Sequence, residues 1–132
     1  MEGFANIAKQ FIEFYYNQFD VDRKQLAVLY RDDSMLTFES TTVQGATAIV
    51  EKLSSLPFQK VRHAVSTLDA QPSGSEGGII ILVTGQLLKL TRGHMQVDEE
   101  DKTMSYSQTF QLKPCSPGPY YVFNDIFRLV FG

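Results

Sequence analysis

Two stretches in the second half of the chain, Ile79 to Leu90 and Tyr120 to Phe131, are apolar on both faces when read as strands. In the first, Gly85 interrupts the run and marks a bend or bulge. In the second, Tyr121, Phe123, Phe127, Leu129 and Phe131 alternate with Tyr120, Val122, Ile126 and Val130. A sheet built from such strands needs cover on two sides. What the remaining residues can supply decides the architecture.

The first third of the chain has helical spacing. Phe4, Ile7, Ala8, Phe11, Tyr15 and Phe19 recur at three and four, and Ile12, Phe14 and Tyr16 widen the apolar face, which predicts a first helix covered on more than one side. Asp20 is suited to cap a second helix over Val21 to Tyr30, with Leu26, Leu29 and Tyr30 inward. A polar corner at Arg31–Ser34 leads into a strand from Met35 to Glu39, followed by a short return arm, Ser40 to Gln44, that ends at Gly45. Ala46, Ile49, Val50, Leu53 and Leu56 then share a face of a third helix, stopped by Pro57.

From Val61 the period is two. Val61 to Leu68 alternates up to a turn at Pro72, and Thr103 to Lys113 sets Met104, Tyr106, Phe110 and Leu112 against polar partners. With the two doubly apolar stretches, this gives a four-strand antiparallel meander preceded by three helices: an α+β fold with the helices on one sheet face. Three helices cover one side. The other apolar face is hidden either by a sheet-to-sheet homodimer or by the chain wrapping its own helices over both faces, and the homodimer is the better fit.

At 132 residues the chain is expected to form a single domain, residues 1–132, with 43% hydrophobic and 20% charged residues, an ordinary globular balance. No apolar run approaches the roughly 20 residues of a membrane span, and the N-terminus has no secretory pattern, so neither membrane insertion nor secretion is expected. The single cysteine, Cys115, agrees with a reducing compartment. A net charge of −3 without a Lys/Arg cluster argues against nucleic acid and for a basic protein partner. There is no metal-ligand spacing, phosphate-cradling glycine loop or nucleophile arrangement, so neither cofactor nor metal is expected.

Two local features carry chemistry. Phe38 and Glu39 place a large aromatic beside a carboxylate at a strand end, an arrangement suited to a pocket mouth; the competing reading is a core aromatic next to a solvated turn acid. Val97-Asp-Glu-Glu-Asp-Lys102 gathers four adjacent acids, ordinarily a solvated loop, and raises the local negative potential.

The chain resembles the nuclear transport factor 2 family over nearly its whole length. The resemblance rests on Phe14-Tyr-Tyr-Asn-Gln-Phe-Asp20, Asp22-Arg23 with Gln25-Leu26, Met35-Leu-Thr-Phe-Glu39, Gln44-Gly45, Ile49 to Lys60, Asp69 with Gln71-Pro72, Thr84-Gly-Gln-Leu87 and Asn124-Asp-Ile-Phe-Arg-Leu129. Within it, Leu53-Ser-Ser-Leu-Pro-Phe-Gln-Lys60 is specific. The resemblance implies an NTF2-like cone, homodimeric through the outer sheet face. It implies a carrier that brings the small GTPase Ran, in its GDP form, into the nucleus by weak contacts with phenylalanine-glycine (FG) repeats of nucleoporins. Such a carrier would be found in cytoplasm and nucleus, concentrated at the nuclear pore.

The same resemblance assigns residues. Phe38 and Glu39 would meet Ran at the cone mouth, with Phe38 giving a smaller contact than the Trp often found there in the family. Leu56, Val61, Met104 and Phe127 would line the cavity, although each also suits an ordinary core. Glu99 and Asp101 match an acidic hairpin that contacts Ran's basic residues. The segment Leu90 to Val97, with Arg92 and His94, makes this connection longer than in its relatives. Phe4 matches an aromatic in the FG-repeat groove. Ile126 matches the dimer face, with Val122 and Val130 beside it by alternation.

Two rival functions remain. The fold class also houses isomerases and dehydratases, for which Asp33, His63, Asp69, Tyr106 and Asp125 are acid-base candidates. Adaptor domains of the same fold pair with a different subunit in RNA export or stress-granule proteins, usually in longer chains or heterodimers. An exposed acidic loop beside Phe38 and Glu39 suits a protein partner better than a sealed small-molecule cavity.

Overall fold

The long first helix, α1 (Phe4–Val21), owes its position to Ala8, Ile12, Tyr15, Tyr16 and Phe19, the residues it buries. The computed structural model describes residues 3–56, 60–74, 76–90, 102–115 and 120–130. The buried stripe is rotated from the expected one: Ile12 and Tyr16 are buried, Phe4, Ile7 and Phe11 are half-buried, and Phe14 is exposed. Asp20 lies in the last turn of α1 and caps nothing; Asp22 accepts from the Lys24 amide and starts a tighter 3₁₀ helix, Arg23–Leu29. Arg23 fastens that segment across the helical layer, donating from Nη1 to the carbonyl of Leu53 at 3.0 Å and lying 5.2 Å over the Phe19 ring.

Six strands follow: β1 (Tyr30–Phe38), β2 (Thr41–Gln44), β3 (Lys60–Ser73), β4 (Gly78–Leu90), β5 (Lys102–Pro114) and β6 (Tyr120–Val130), with α2 (Ala46–Ser54) between β2 and β3. The helices therefore do not all precede the sheet. They interleave with it because the order is β2-β1-β6-β5-β4-β3, which carries β1 across to pair in parallel with β6. All other pairings are antiparallel, as the meander requires.

Three irregularities shape this sheet. The expected corner at Arg31–Ser34 is an irregular stretch inside β1: Tyr30 pairs with Val122 but Met35 already with Asn124. Ser34 closes it, accepting from the Arg31 amide at 2.8 Å and donating to the Val122 carbonyl. In β3, Val65 pairs with Gly85 and Thr67 with Thr84, so Ser66 is the extra residue of a bulge. Gly85 is required there, since a Cβ would meet the Ala64 carbonyl oxygen at 2.3 Å.

The third irregularity overturns one expectation. Leu112 pairs with Val122 and Gln111 with Asn124, leaving Phe123 as the extra residue in β6. A single inserted residue reverses the parity of everything beyond it. Val122 thus joins Asp125 and Phe127 on the helix-facing side, with 0% exposure, and is not beside Ile126, which is 46% exposed. The inner face also buries Ile79, Ile81, Val83, Tyr106 and Phe110. On the outer face Ile80, Leu82, Ile126 and Val130 are exposed apolar residues, the surplus anticipated from the doubly apolar strands.

Candidate functional site

At the end of β1 the chain reverses in two residues. Phe38 pairs with Thr41, and the residues between them, Glu39 (φ 51°) and Ser40 (φ 84°), both have left-handed backbone. This is the geometry of a hairpin turn ordinarily made by Asn-Gly or Asp-Gly. Held by Glu and Ser it costs on the order of 1–3 kcal/mol per residue and persists only where neighbours enforce it. They do: the Glu39 amide donates to the Phe127 carbonyl at 3.0 Å, Glu39 Oε2 accepts from the Leu129 amide, and Arg128 Nη1 donates to Ser40 Oγ at 3.1 Å. All three partners lie on β6, so the parallel β1–β6 pairing fixes the acid.

The aromatic beside it is equally constrained. The rings of Phe38 and Phe127 stack with centroids 4.6 Å apart and planes 2° from parallel. Phe127 in turn stacks on Tyr106 at 5.3 Å, and Tyr106 meets the His63 ring edge-on at 5.6 Å. Val61 and Phe127 are buried, while Leu56, Met104 and Phe38 are half-buried against the same core. The expected mouth residue Phe38 and cavity residue Phe127 are thus in direct contact, with the clamped Glu39 carboxylate following Phe38 in the chain. Glu99 and Asp101, with the longer connection around them, lie outside the described residues.

Elsewhere, Phe4 is half-buried in the first turn of α1, and Ile126 and Val130 are exposed on the outer face. The turn residue Ser40 and its partner Arg128 were not foreseen. Nothing in Glu-Ser signals a left-handed turn, because the usual markers, Gly and Asn, are absent.

Of the acid-base candidates His63 and Tyr106 touch, ring edge to face, but the five do not share a site. Asp33 is exposed and accepts from the Tyr121 hydroxyl at 3.1 Å; Asp69 is exposed and borders a shallow outer-face depression with Ile80 and Leu82. His63 is structural: its Nδ1 lies 2.8 Å from Asp20 Oδ1, its amide donates to Asp20 Oδ2, and its ring stacks on Tyr16 at 4.0 Å. Tyr106 has its hydroxyl pushed up to about 12 by burial, a poor acid.

Asp125 has its carboxyl pushed up to about 6 by burial, against the opposing effect of its hydrogen bonds, a value suited to proton transfer. Both its oxygens are occupied. Tyr30 donates to Oδ2 at 2.7 Å, Tyr15 lies 3.1 Å from the same oxygen, and Gln108 Nε2 donates to Oδ1 at 2.7 Å. Tyr15 and Tyr30 hydroxyls are 2.6 Å apart, and Tyr16 donates to Gln108 Oε1 at 2.8 Å. A fully enclosed, satisfied network of this kind ties α1 and β1 to the inner sheet face and offers no approach to a substrate.

Comparison with known proteins agrees with this geometry. The model of the Nuclear transport factor 2 (NTF2) domain matches residues 7–129. A relative from Emericella nidulans named Nuclear transport factor 2 is 59% identical over 132 residues, covering 100% of this chain and 99% of its own length. The protein of the same name from Candida albicans is 58% identical, covering 98% and 97%. The solved structure of nuclear transport factor 2 from Cryptosporidium parvum superposes with a TM-score of 0.84 at 39% identity, covering 98% of this chain and 96% of that one. The chain therefore belongs to the nuclear transport factor 2 family and is a transport factor in nuclear traffic, not an enzyme.

Proposed function

We propose that this protein is a homodimeric carrier that binds Ran in its GDP form at the Phe38–Glu39 end of the sheet and takes it through the nuclear pore by weak contacts with FG repeats. The observation that carries this reading is the clamped carboxylate of Glu39 at the end of the Phe38–Phe127 stack. An apolar aromatic floor with one fixed negative charge suits a protein partner that presents an apolar anchor beside a basic residue. Glu99 and Asp101 would add acids to the same contact, with Leu56, Val61 and Met104 forming the apolar wall.

The dimer rests on the outer face. Ile80, Leu82, Ile126 and Val130 are exposed in a single chain, and a second copy of the same face would hide them. Phe4, half-buried in the first turn of α1, is the proposed contact for a repeat phenylalanine. Such a carrier would be distributed between cytoplasm and nucleus and concentrated at the pore. Pull-down with Ran loaded with GDP or GTP tests the central claim: retention of the GDP form alone is expected, and equal or absent retention of both forms overturns it.

A further inference from the structure

The Glu39–Ser40 turn has two supports on its side chains, and only one acts on the Glu39 carboxylate. The Leu129 amide holds Oε2. The other support reaches the neighbouring residue: the guanidinium of the exposed Arg128 donates to Ser40 Oγ at 3.1 Å. Ser40, at φ 84°, is one of two non-glycine residues with left-handed backbone among the described residues, the other being Glu39 itself. A strained two-residue turn with no glycine relaxes to other conformers unless it is pinned. The pins on Glu39 and Ser40 come from consecutive positions of β6, residues 127 to 129.

Resting on the carrier reading, we propose that Ser40 and Arg128 are positioning residues for partner binding: their hydrogen bond holds the Glu39–Ser40 turn in its left-handed form and keeps the Glu39 carboxylate fixed on the Leu129 amide before the partner arrives. A carboxylate already ordered loses less conformational freedom on association, so the affinity gain appears without either residue touching the partner. Simple electrostatics gives the opposite sign. Arg128 is a cation bonded to the residue next to the acid, and removing it makes this end more negative, which by charge alone strengthens attraction for a basic partner.

That opposition makes the test decisive. Ser40→Ala, Arg128→Ala and the double variant are titrated calorimetrically against GDP-loaded Ran, with sedimentation and thermal melts on the same samples. Each single variant is expected to bind roughly three- to tenfold more weakly. The double variant is expected to bind no more weakly than the worse single one, because one bridge is lost in all three. Dimer mass and melting temperature are expected to stay near wild type, since the bridge is exposed. Hydrogen exchange of the Leu129 amide, which needs no partner, is expected to quicken in all three. Tighter binding by Arg128→Ala, additive losses, or unchanged Leu129 exchange would overturn the inference. Wild-type protein that ignores Ran·GDP would instead sink the carrier reading, while the exchange measurement would still judge the turn.

Discussion

Phe38 and Phe127 lie face to face, 4.6 Å apart and 2° from parallel, although 89 positions apart in the sequence, because the parallel pairing of β1 with β6 brings Phe38 opposite Phe127. That pairing also sets the Glu39 turn against Phe127, Arg128 and Leu129. The candidate site is thus a property of two strand ends in register.

Glu39→Lys is expected to abolish binding of Ran·GDP while leaving the dimer intact, because it opposes a like charge to a basic partner and removes the acceptor of the Leu129 amide. Titration calorimetry showing wild-type affinity would refute this, and sedimentation checks the dimer.

Ile126→Glu is expected to give monomers, since it places a charge in the outer apolar face. Val122→Ala is expected to leave association alone and instead to lower folding stability by roughly 2 kcal/mol, from lost burial plus a cavity on the inner face. Sedimentation and urea titration of both variants distinguish the two faces of β6; a monomeric Val122→Ala would contradict the assignment.

The Asp125 carboxyl makes stability depend on pH in an unusual direction. Its folded pKa, about 6, lies above the ordinary 3.8, so between these values the folded state binds more protons than the unfolded one. Its contribution is therefore fully present below about pH 4 and is lost as pH rises towards 6, by about 3 kcal/mol in all. Asp125→Asn does not titrate. The stability of wild type relative to this variant, from denaturant titrations, is expected to be greater at pH 4 than at pH 7, and a difference independent of pH would contradict the burial argument.

Gly85→Ala is expected to cost about 1–3 kcal/mol, because the new methyl would collide with backbone at Ala64 and force the β3 bulge to open. Chemical denaturation measures it. An unchanged midpoint would show that the bulge yields freely.

Much of this protein is legible locally. The helical repeat of α1 and α2, the alternation of Thr103 to Lys113, the bend at Gly85 and the two-faced greasiness of Ile79–Leu90 are periodicities, and a period of two or of 3.6 is fixed by backbone geometry whatever surrounds it. Family resemblance pointed to Phe38, Glu39 and Phe127 through short motifs. The side on which Val122 falls was not legible, because alternation assumes unbroken register and the extra residue at Phe123 exists only relative to β5. Nor was the left-handed Glu39–Ser40 turn, which runs against the preference of both residues.

The amino-acid order alone determined most of the helix and strand segments, residues 30–34 of β1 excepted, and that one sheet would have more apolar surface than its own helices cover, since those depend on neighbours along the chain. Tertiary structure decided the parallel meeting of β1 and β6, the face given to Val122, the enclosure of Asp125 by Tyr15, Tyr30 and Gln108, and the pinning of Glu39. Each of these is a contact between residues far apart in sequence, and its strength comes from partners that only the folded chain brings within reach.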